Sequence, residues 1–229
     1  MRLGERLQTI ADMVPEASIL ADIGTDHAYL PIYLVEQKRV SRAIAGDIHH
    51  GPFLSAKNAV ADTQLEQYIA VRQGNGLDVL NPGEADVVVI AGMGGANIID
   101  ILSSRPEITA KLKRVILQPM IAASLVRIWL YKNNWKIVAE ELVEEEGKMY
   151  QIIAAEPGTD CQIEAVLYEI GPLLWKNKHP LLKRHIQELL RHLRGVLSAM
   201  ADSKEAVNSE KYKAFTKKLN DLEDKMSCL

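Results

Sequence analysis

The 229-residue sequence is poor in the features that mark secreted, metal-bound or membrane-spanning proteins. Its two cysteines, Cys161 and Cys228, fit neither a disulfide framework nor the spacing of a metal site. No apolar run is long enough to span a bilayer, and the first residues form an amphipathic pattern instead of the apolar core of a signal peptide. We therefore expect a cytoplasmic monomer without a membrane segment or a metal.

The sequence also lacks the glycine triplet with which nicotinamide-binding folds approach a pyrophosphate. Gly24 is followed by Asp26, and Tyr29 stands where the last glycine would fall. A carboxylate facing a pyrophosphate would be repelled and costly to desolvate. Carboxylates suit a cationic ligand with free hydroxyls, such as S-adenosylmethionine. The alternative is that Asp22 and Asp26 only cap the following helix.

Nearly half of the residues are hydrophobic, which allows one full α/β domain and a smaller appendage. The stretch from Ser18 to Leu34 predicts a buried strand, a tight turn and a helix with Pro31 in its first turn. In an open α/β sheet such a turn lies at the carboxyl ends of the strands, where ligands bind. This turn is therefore the first candidate for a site.

Further strands follow in a regular order. A helix is predicted before Pro15, and strands are predicted at residues 42–47, 69–73, 86–91, 114–117, 135–142 and 149–155. Asp47 ends the second strand at about the separation, ~20 residues, that suits a carboxylate on ribose hydroxyls. Mere strand-end capping is the alternative. Gly74 and Asn75 have the geometry to pass under an adenine ring, although an ordinary surface turn would look the same.

The later strands indicate the class of sheet. Gly92, Met93, Gly94 and Gly95 follow the central strand, where glycines let a ligand or another backbone come close. Pro119 holds Gln118 in extended geometry at the end of the fifth strand. The last two strands have too short a connection for a crossover helix and must be antiparallel. This plan is that of the class I, Rossmann-like methyltransferase sheet, whereas nicotinamide folds keep all their strands parallel.

The chain changes character at about residue 158. Apolar residues from Leu182 to Met200 and from Tyr212 to Met226 step by three and four, which predicts a helical hairpin of coiled-coil type. We therefore divide the chain into a catalytic domain, 1–157, and a helical domain, 158–229. A one-sided basic face suits phosphate, although a solvated outer face is the commoner meaning of such charge. Its main members are Lys176, Lys178, Lys183, Arg184, Arg191 and Arg194, with His179, His185 and His192 beside them.

Taken together, five motifs closely resemble the bacterial TrmK family of tRNA (adenine(22)-N1)-methyltransferases. They are Asp22-Ile-Gly-Thr-Asp-His-Ala-Tyr-Leu-Pro31, Ala45-Gly-Asp47, Gly74-Asn-Gly-Leu-Asp78, Ala91-Gly-Met-Gly-Gly95 and Leu117-Gln-Pro-Met120. The resemblance runs through the whole chain, including the helical tail. It implies a class I fold that uses S-adenosylmethionine and a target adenine in the D-arm region of tRNA.

The resemblance also implies roles for single residues. Asp22, Gly24 and Asp26 would border the methionine half of the donor, Asp47 with Ile48 would hold the ribose, and Gly74 with Asn75 would flank the adenine. Gly92, Met93, Gly94 and Gly95, with Gln118 and Pro119, would form the floor where the target base meets the methyl group, and the first three of these would also bind the donor. The last assignment is by analogy with other adenine methyltransferases, since this chain has no Asn-Pro-Pro-Tyr motif.

N1 of adenine lies on the Watson–Crick edge, so the base must be extruded before methylation. The product ring is cationic, and a nearby carboxylate would stabilise the developing charge. Asp26 is the candidate, with His27 and Tyr29 to orient or stack the base. A polar residue at a helix start is the alternative for His27. Two other functions stay open from the residues alone: a methyltransferase for a small molecule or protein, and a non-catalytic binding module.

Overall fold

The structure is a computed structural model that describes residues 1–159 and 163–229. The chain divides into two compact units, Met1–Cys161 and Gln162–Leu229, and each is described by itself. The assignment of catalysis to residues 1–157 and of tRNA contact to residues 158–229 stays a prediction. Cys161 lies outside the described residues, and Cys228 is a free, exposed cysteine.

The first unit is built on a seven-stranded sheet with the order β3-β2-β1-β4-β5-β7-β6. Its strands are β1 (Ser18–Ile23), β2 (Val40–Asp47), β3 (Ile69–Gln73), β4 (Val87–Gly94), β5 (Arg114–Ile121), β6 (Trp135–Glu145) and β7 (Lys148–Pro157). The first five strands pair in parallel, and β7 runs antiparallel to both β5 and β6. The predicted class I sheet with a closing antiparallel hairpin is confirmed.

Several strands run a few residues beyond their predicted bounds, and the extension is longest in β5. β5 continues through Pro119 to Ile121, whereas the sequence predicted an end at Leu117. Proline is tolerated in a strand where regular pairing is interrupted. The β4–β5 register shifts on both sides of Met93, which is the partner of Pro119. The irregularity therefore lets the strand carry a proline past the sheet's carboxyl edge.

Among the residues of the first unit that the structure describes, the α-helices are α1 (Glu5–Met13), α2 (Tyr29–Glu36), α3 (His50–Asp62), α4 (Gly95–Ser104), α5 (Pro106–Thr109) and α6 (Ala123–Lys132). Apolar residues of α1, α2 and α3 share one core cluster with Val87 and Val89 of β4. The alternate residues Val88 and Ile90 point to the other face, because side chains alternate along a strand. That face is in contact with α4 and α6.

A buried ion pair fastens α6 to the sheet. Arg127 Nε donates to Glu140 Oε1 (2.7 Å), and both side chains are fully buried. Arg127 Nη2 also donates to Gln151 Oε1 at 2.8 Å. Desolvating two charges is costly unless they are paired and hydrogen-bonded, as they are here. The pair therefore fixes α6 to β6 and β7, just after the corner that ends β5.

The second unit contains α7 (Ala165–Ile170), α8 (Pro172–Lys176), α9 (Leu182–Ala201), α10 (Lys204–Val207) and α11 (Glu210–Ser227). α9 and α11 pack against each other as the predicted hairpin, joined by the short α10. Leu190 and Leu197 are buried on α9, whereas Leu189 and Val196, which the spacing of three and four from Leu182 predicts for the stripe, are partly buried. α9 also contacts α7. Within the described ranges, none of the helices has the length and apolarity to cross a membrane.

Candidate active site

The turn after β1 brings the sequence motif to the carboxyl edge of the sheet. Gly24 has φ +81°, a left-handed conformation that favours glycine. The N–H groups of Gly24 and Thr25 both donate to Gly46 O, at 2.8 and 3.1 Å, which ties the turn to β2. The Thr25 hydroxyl accepts from Ala28 N (3.1 Å), whereas neither aspartate caps α2. The capping alternative for Asp22 and Asp26 is therefore wrong.

Asp22 is a buried carboxylate at the end of β1, with 9% of its surface exposed. Burial raises the pKa of Asp22 to about 6, since desolvation disfavours the charged form. A hydrogen bond from Thr25 lowers that pKa, nearby Asp47 raises it, and Arg6 lowers it. A buried carboxylate with a raised pKa is stabilised most by a cationic ligand, because the opposite charge would offset the cost of its desolvation.

Asp47 lies at the end of β2 on the wall of a cavity of about 400 Å³. Its Oδ1 accepts from His49 N (2.7 Å), a contact that orients the carboxylate. The cavity includes six of the predicted site residues: Gly24, Asp47, Ile48, Gly74, Asn75 and Met93. Its volume is within the range of about 300–1,000 Å³ that small-molecule and cofactor sites occupy.

The turn after β3 contributes residues 74–76 to the cavity. Val79, at the end of a 3₁₀ turn (Gly76–Val79), packs where a Cβ on Gly46 or Gly74 would stand, 2.8 Å from either. Arg72 of β3 donates to Val79 O at 2.7 Å and pairs with Glu84. This pairing lowers the pKa of Glu84 to about 2. Gly74 therefore has a packing reason to be glycine beside its predicted role near an adenine.

Three residues of α4 that the sequence did not single out complete the cavity. Asn97, Asp100 and Ile101 line the wall opposite β2. Their spacing of three and four puts them on one helix face, which is the signal that was available. The polar side chains of the cavity fit a nucleoside, because carboxylate and amide oxygens accept hydrogen bonds from ribose hydroxyls. The isoleucine side chains suit a flat ring. Within the described residues, no group of three or more potential metal ligands is found.

Asp26, His27 and Tyr29 form a separate, exposed group beside the β1 turn. The His27 and Tyr29 rings stack with centroids 5.1 Å apart and planes 14° from parallel. His27 Nε2 lies 3.4 Å from Asp26 Oδ2, and the Asp26 side chain is 71% exposed. The three side chains thus form a solvent-facing aromatic and acidic surface next to the cavity, where a role in catalysis stays a prediction.

Gln118 is fully buried where β4 and β5 end. Its Oε1 accepts from Gly92 N (3.1 Å) and from Arg6 Nη1 (2.9 Å), and its Nε2 lies 3.5 Å from Met120 Sδ. Pro119 is also buried, while Met120 and Ile121 are exposed beyond it. Gln118 and Gly92 are thus brought together as expected, and the contact with Arg6 was not foreseen.

The glycines at the end of β4 and the start of α4 differ in their surroundings. Gly92 is exposed at φ +77°, and Gly94 is partly buried. Gly95 is buried, and a Cβ there would stand 2.5 Å from Ala122 O. Close packing against the β5–α6 loop accounts for glycine at this position, so substrate contact by Gly95 stays a prediction without further support.

The predicted basic face lies in the second unit, and its six lysine and arginine residues are all exposed. Two of them pair with carboxylates: Arg184 Nε with Glu188 Oε1 (3.3 Å), and Arg194 Nη2 with Glu223 Oε1 of α11 (2.7 Å). His185 is buried, so the expectation that it belongs to the basic face is wrong. It follows α9's apolar stripe, one residue from Ile186.

Comparison with known proteins gives a consistent set of relatives. A family model described as TrmK, tRNA (adenine(22)-N(1))-methyltransferase, matches residues 20–224. The tRNA (adenine(22)-N(1))-methyltransferase of Bacillus subtilis (strain 168) is 42% identical, with 100% of this chain and 96% of that protein covered.

Solved structures agree with this. A putative tRNA (m1A22) methyltransferase of Streptococcus pneumoniae in complex with S-adenosyl-L-methionine has a TM-score of 0.88, 34% identity and coverage of 98% and 100%. M. capricolum TrmK in complex with S-adenosyl-homocysteine has a TM-score of 0.84, 27% identity and coverage of 99% of both chains.

Proposed function

Because the chain belongs to the TrmK family of tRNA (adenine(22)-N(1))-methyltransferases, we propose that it methylates N1 of adenine 22 in tRNA with S-adenosylmethionine as donor. The observation that carries this proposal is the cavity at the carboxyl ends of β1, β2 and β4, with Asp47 on its wall and Asp22 beside it. When bound, S-adenosylmethionine supplies a methyl group activated by a sulfonium centre.

The residues of this cavity bind and orient the donor. Asp47, held by His49 N–H, would accept from the ribose hydroxyls, and Asn75 and Ile101 would flank the adenine. Asp22 would face the cationic methionine end, and that charge would favour its ionisation. Positioning of two reactants in line accounts for much of the catalysis in such a displacement.

The target adenine enters from the exposed side of the β1 turn. The stacked His27 and Tyr29 rings offer a surface for the extruded base, since base–aromatic stacking is worth about 1–3 kcal/mol per base. Asp26 contributes negative charge near the ring that becomes cationic. Gln118 and Pro119, buried at the end of β5, form the floor of this half of the site.

The basic residues of the second unit bind the tRNA backbone. Lys183 and Arg191 are exposed on α9 and have no carboxylate partner among the described residues, so their charge remains available for phosphate. Contacts of this kind position a nucleic acid without reading its sequence. We also propose that the protein acts in the cytoplasm and as a monomer. Light scattering of the free protein would test its oligomeric state.

The deciding experiment is incubation of the protein with S-adenosylmethionine carrying a labelled methyl group and with unmodified tRNA, followed by mapping of the labelled nucleotide. We expect label at N1 of adenine 22 and no label in the same tRNA with guanine at position 22. Label at another nucleotide, or on protein, would show that the substrate differs from the proposed one. Binding of donor without any transfer would support a binding module instead.

A further inference from the structure

The N-terminal helix contributes one side chain to the carboxyl edge of the sheet. Arg6 of α1 reaches Gln118 of β5, 112 residues later in the chain, with 2.9 Å between Arg6 Nη1 and Gln118 Oε1. The same oxygen accepts from Gly92 N at 3.1 Å. Gln118 is thus held between an arginine and the backbone at the end of β4.

These two partners determine which way the Gln118 amide faces. A guanidinium and a backbone N–H are donors only, so the atom that meets both must be the amide oxygen. Both acceptor positions of that oxygen are then occupied, because a carbonyl oxygen has two lone pairs. The opposite end of the amide, Nε2, is therefore fixed as a donor.

The Nε2 group lies at the corner proposed for the target base. Within the part of the chain that the structure describes, its one partner is the thioether of Met120, 3.5 Å away, and sulfur is a weak acceptor. Met120 itself is 47% exposed. A buried amide donor with so weak a partner, next to an exposed corner, is suited to an acceptor atom that a substrate brings.

Two residues, Glu145 and Tyr150, hold Arg6 in turn. Its backbone N–H donates to Glu145 Oε1 (3.3 Å), and its Nε lies 3.7 Å from Glu145 Oε2. Its guanidinium also lies over the Tyr150 ring, 5.4 Å from the centroid. A planar guanidinium held in this way loses little entropy when it holds Gln118. The bracing residues come from β6 and β7, the antiparallel hairpin that closes the sheet.

We propose that Arg6 is a positioning residue that presents the Gln118 amide as a hydrogen-bond donor to a ring nitrogen of the target adenine, N3 or N7. The inference rests on the proposed function. The arrangement also excludes recognition of the exocyclic amine of adenine by Gln118. That amine is a hydrogen-bond donor, and the Gln118 oxygen that would accept from it is already occupied.

The first test compares variants of Arg6 in single-turnover methylation at saturating tRNA. Arg6→Met keeps the apolar stem without donors and should lower the rate about tenfold to 100-fold, the cost of a misplaced group in an active site. Arg6→Lys, which keeps one donor, should recover part of the loss. Donor affinity, measured by calorimetry at pH 8, should change less than threefold in both.

Arg39 offers a matched control. Its side chain is 24% exposed, as is that of Arg6, and it also binds α1, through Asp12 Oδ1 at 3.2 Å. Arg39→Met should therefore lower thermal stability without lowering the methylation rate at a temperature where it is folded. An equal rate loss in Arg6→Met and Arg39→Met would mean that Arg6 only braces the fold, and the proposal would be overturned.

The second test uses the substrate and does not depend on Arg6 variants being folded. Gln118→Glu keeps an oxygen for Arg6 and Gly92 and loses the donor. Replacing adenine 22 by the deaza analogue that lacks the contacted ring nitrogen, 3-deazaadenine for N3 or 7-deazaadenine for N7, should slow methylation by the wild-type protein about tenfold more than it slows methylation by Gln118→Glu. The rate losses of the two proteins are compared because a deaza change alters the basicity of N1 by itself.

The outcomes separate the two proposals. Absence of coupling for both deaza substrates, in a wild-type protein that methylates adenine 22, would overturn the role of Gln118 and leave the proposed function intact. A wild-type protein that does not methylate adenine 22 at all would overturn the proposed function. Hydrogen exchange of the Gln118 side-chain amide gives a readout without turnover: we expect it to be faster in Arg6→Met and unchanged in Arg39→Met.

Discussion

The two halves of the candidate active site differ in how complete they are. The donor half is a cavity walled by Gly24, Asp47 and the turn 74–76, with Asp22 beside it, and both aspartates are 9% exposed. The base half has a buried floor, Gln118 and Pro119, but its other members, Asp26, His27, Tyr29, Met120 and Ile121, face solvent, with Ile121 72% exposed. The fold itself thus walls the donor half, while the exposed members of the base half have no cover among the described residues of the first unit.

This difference follows from the elements that build each half. The donor half is formed by strand ends that are tied to one another, as Gly24 is to Gly46 and Gly74 is to Asp47 O. The base half is formed by one turn and by a strand end that overruns the sheet. We infer that the donor half is preorganised, which lowers the entropic cost of binding the donor alone. We also infer that tRNA supplies the missing cover of the base half.

The largest effect is expected from the second unit. Reversing Lys183, Arg184 and Arg191 together to glutamate should weaken tRNA binding at least about 100-fold and reduce its salt dependence, since each lost phosphate contact lowers the slope by about one. Donor affinity should be unchanged. Filter binding over a salt series measures this, with Lys213→Glu on α11 as the control. Equal losses in control and triple variant would remove the basic face from tRNA binding.

Asp47→Ala breaks the donor half alone. Hydrogen bonds to a charged group contribute about 1.5–3 kcal/mol, so donor affinity should fall about tenfold to 100-fold. Binding of tRNA should be unaffected. Calorimetry measures the donor affinity of both variants, with Asp62→Ala as the control. Asp62 is an exposed aspartate at the end of α3. Unchanged donor affinity would exclude Asp47 from the ribose role.

The pKa of Asp22, raised to about 6, makes donor binding dependent on pH. Below that pH the carboxyl is protonated and must lose its proton before it can face a cation. Donor affinity should therefore fall about tenfold per pH unit below about pH 6 and level off above it. In Asp22→Asn the affinity should be lower at pH 8 and nearly flat between pH 5 and 8. A wild-type profile as flat as that of the variant would contradict the role of Asp22.

Asp22 should also affect stability in the absence of donor. Because its folded-state pKa lies above the ordinary value of 3.8, ionisation of the buried carboxyl destabilises the protein as pH rises from about 4 through 6. Asp22→Asn should thus raise the free energy of unfolding at pH 8 by on the order of 2 kcal/mol and change it little at pH 4. Urea titrations at the two pH values measure the difference.

The smallest effect is expected in the base half. Asp26→Asn should slow single-turnover methylation about tenfold, because the carboxylate is 71% exposed and water screens its charge. Affinities for donor and tRNA should stay within twofold. Asp26→Glu is the control and should keep most of the rate. A loss of more than about 1,000-fold would show that tRNA binding buries this carboxylate far more than the free protein suggests.

The sequence predicted where Asp22, Gly24 and Asp47 lie, because each stands at a strand end and parallel strands place their carboxyl ends at one edge. Their roles toward the donor stay predictions. Asn97, Asp100 and Ile101 were missed, since the glycine run before them was interpreted as a close approach and no helix was predicted after it. The Arg6–Gln118 contact joins two polar residues 112 positions apart, a pairing that no local pattern predicts.

Hydrogen exchange by mass spectrometry tests the comparison between the two halves most directly. S-adenosylmethionine alone should slow exchange at residues 46–49 and 74–79 and leave residues 26–29 and 119–125 unchanged. Addition of tRNA should then slow exchange in those latter two segments. Slowing of all four segments by the donor alone would contradict a base half that awaits tRNA, and so would tRNA-dependent slowing confined to residues 46–49 and 74–79.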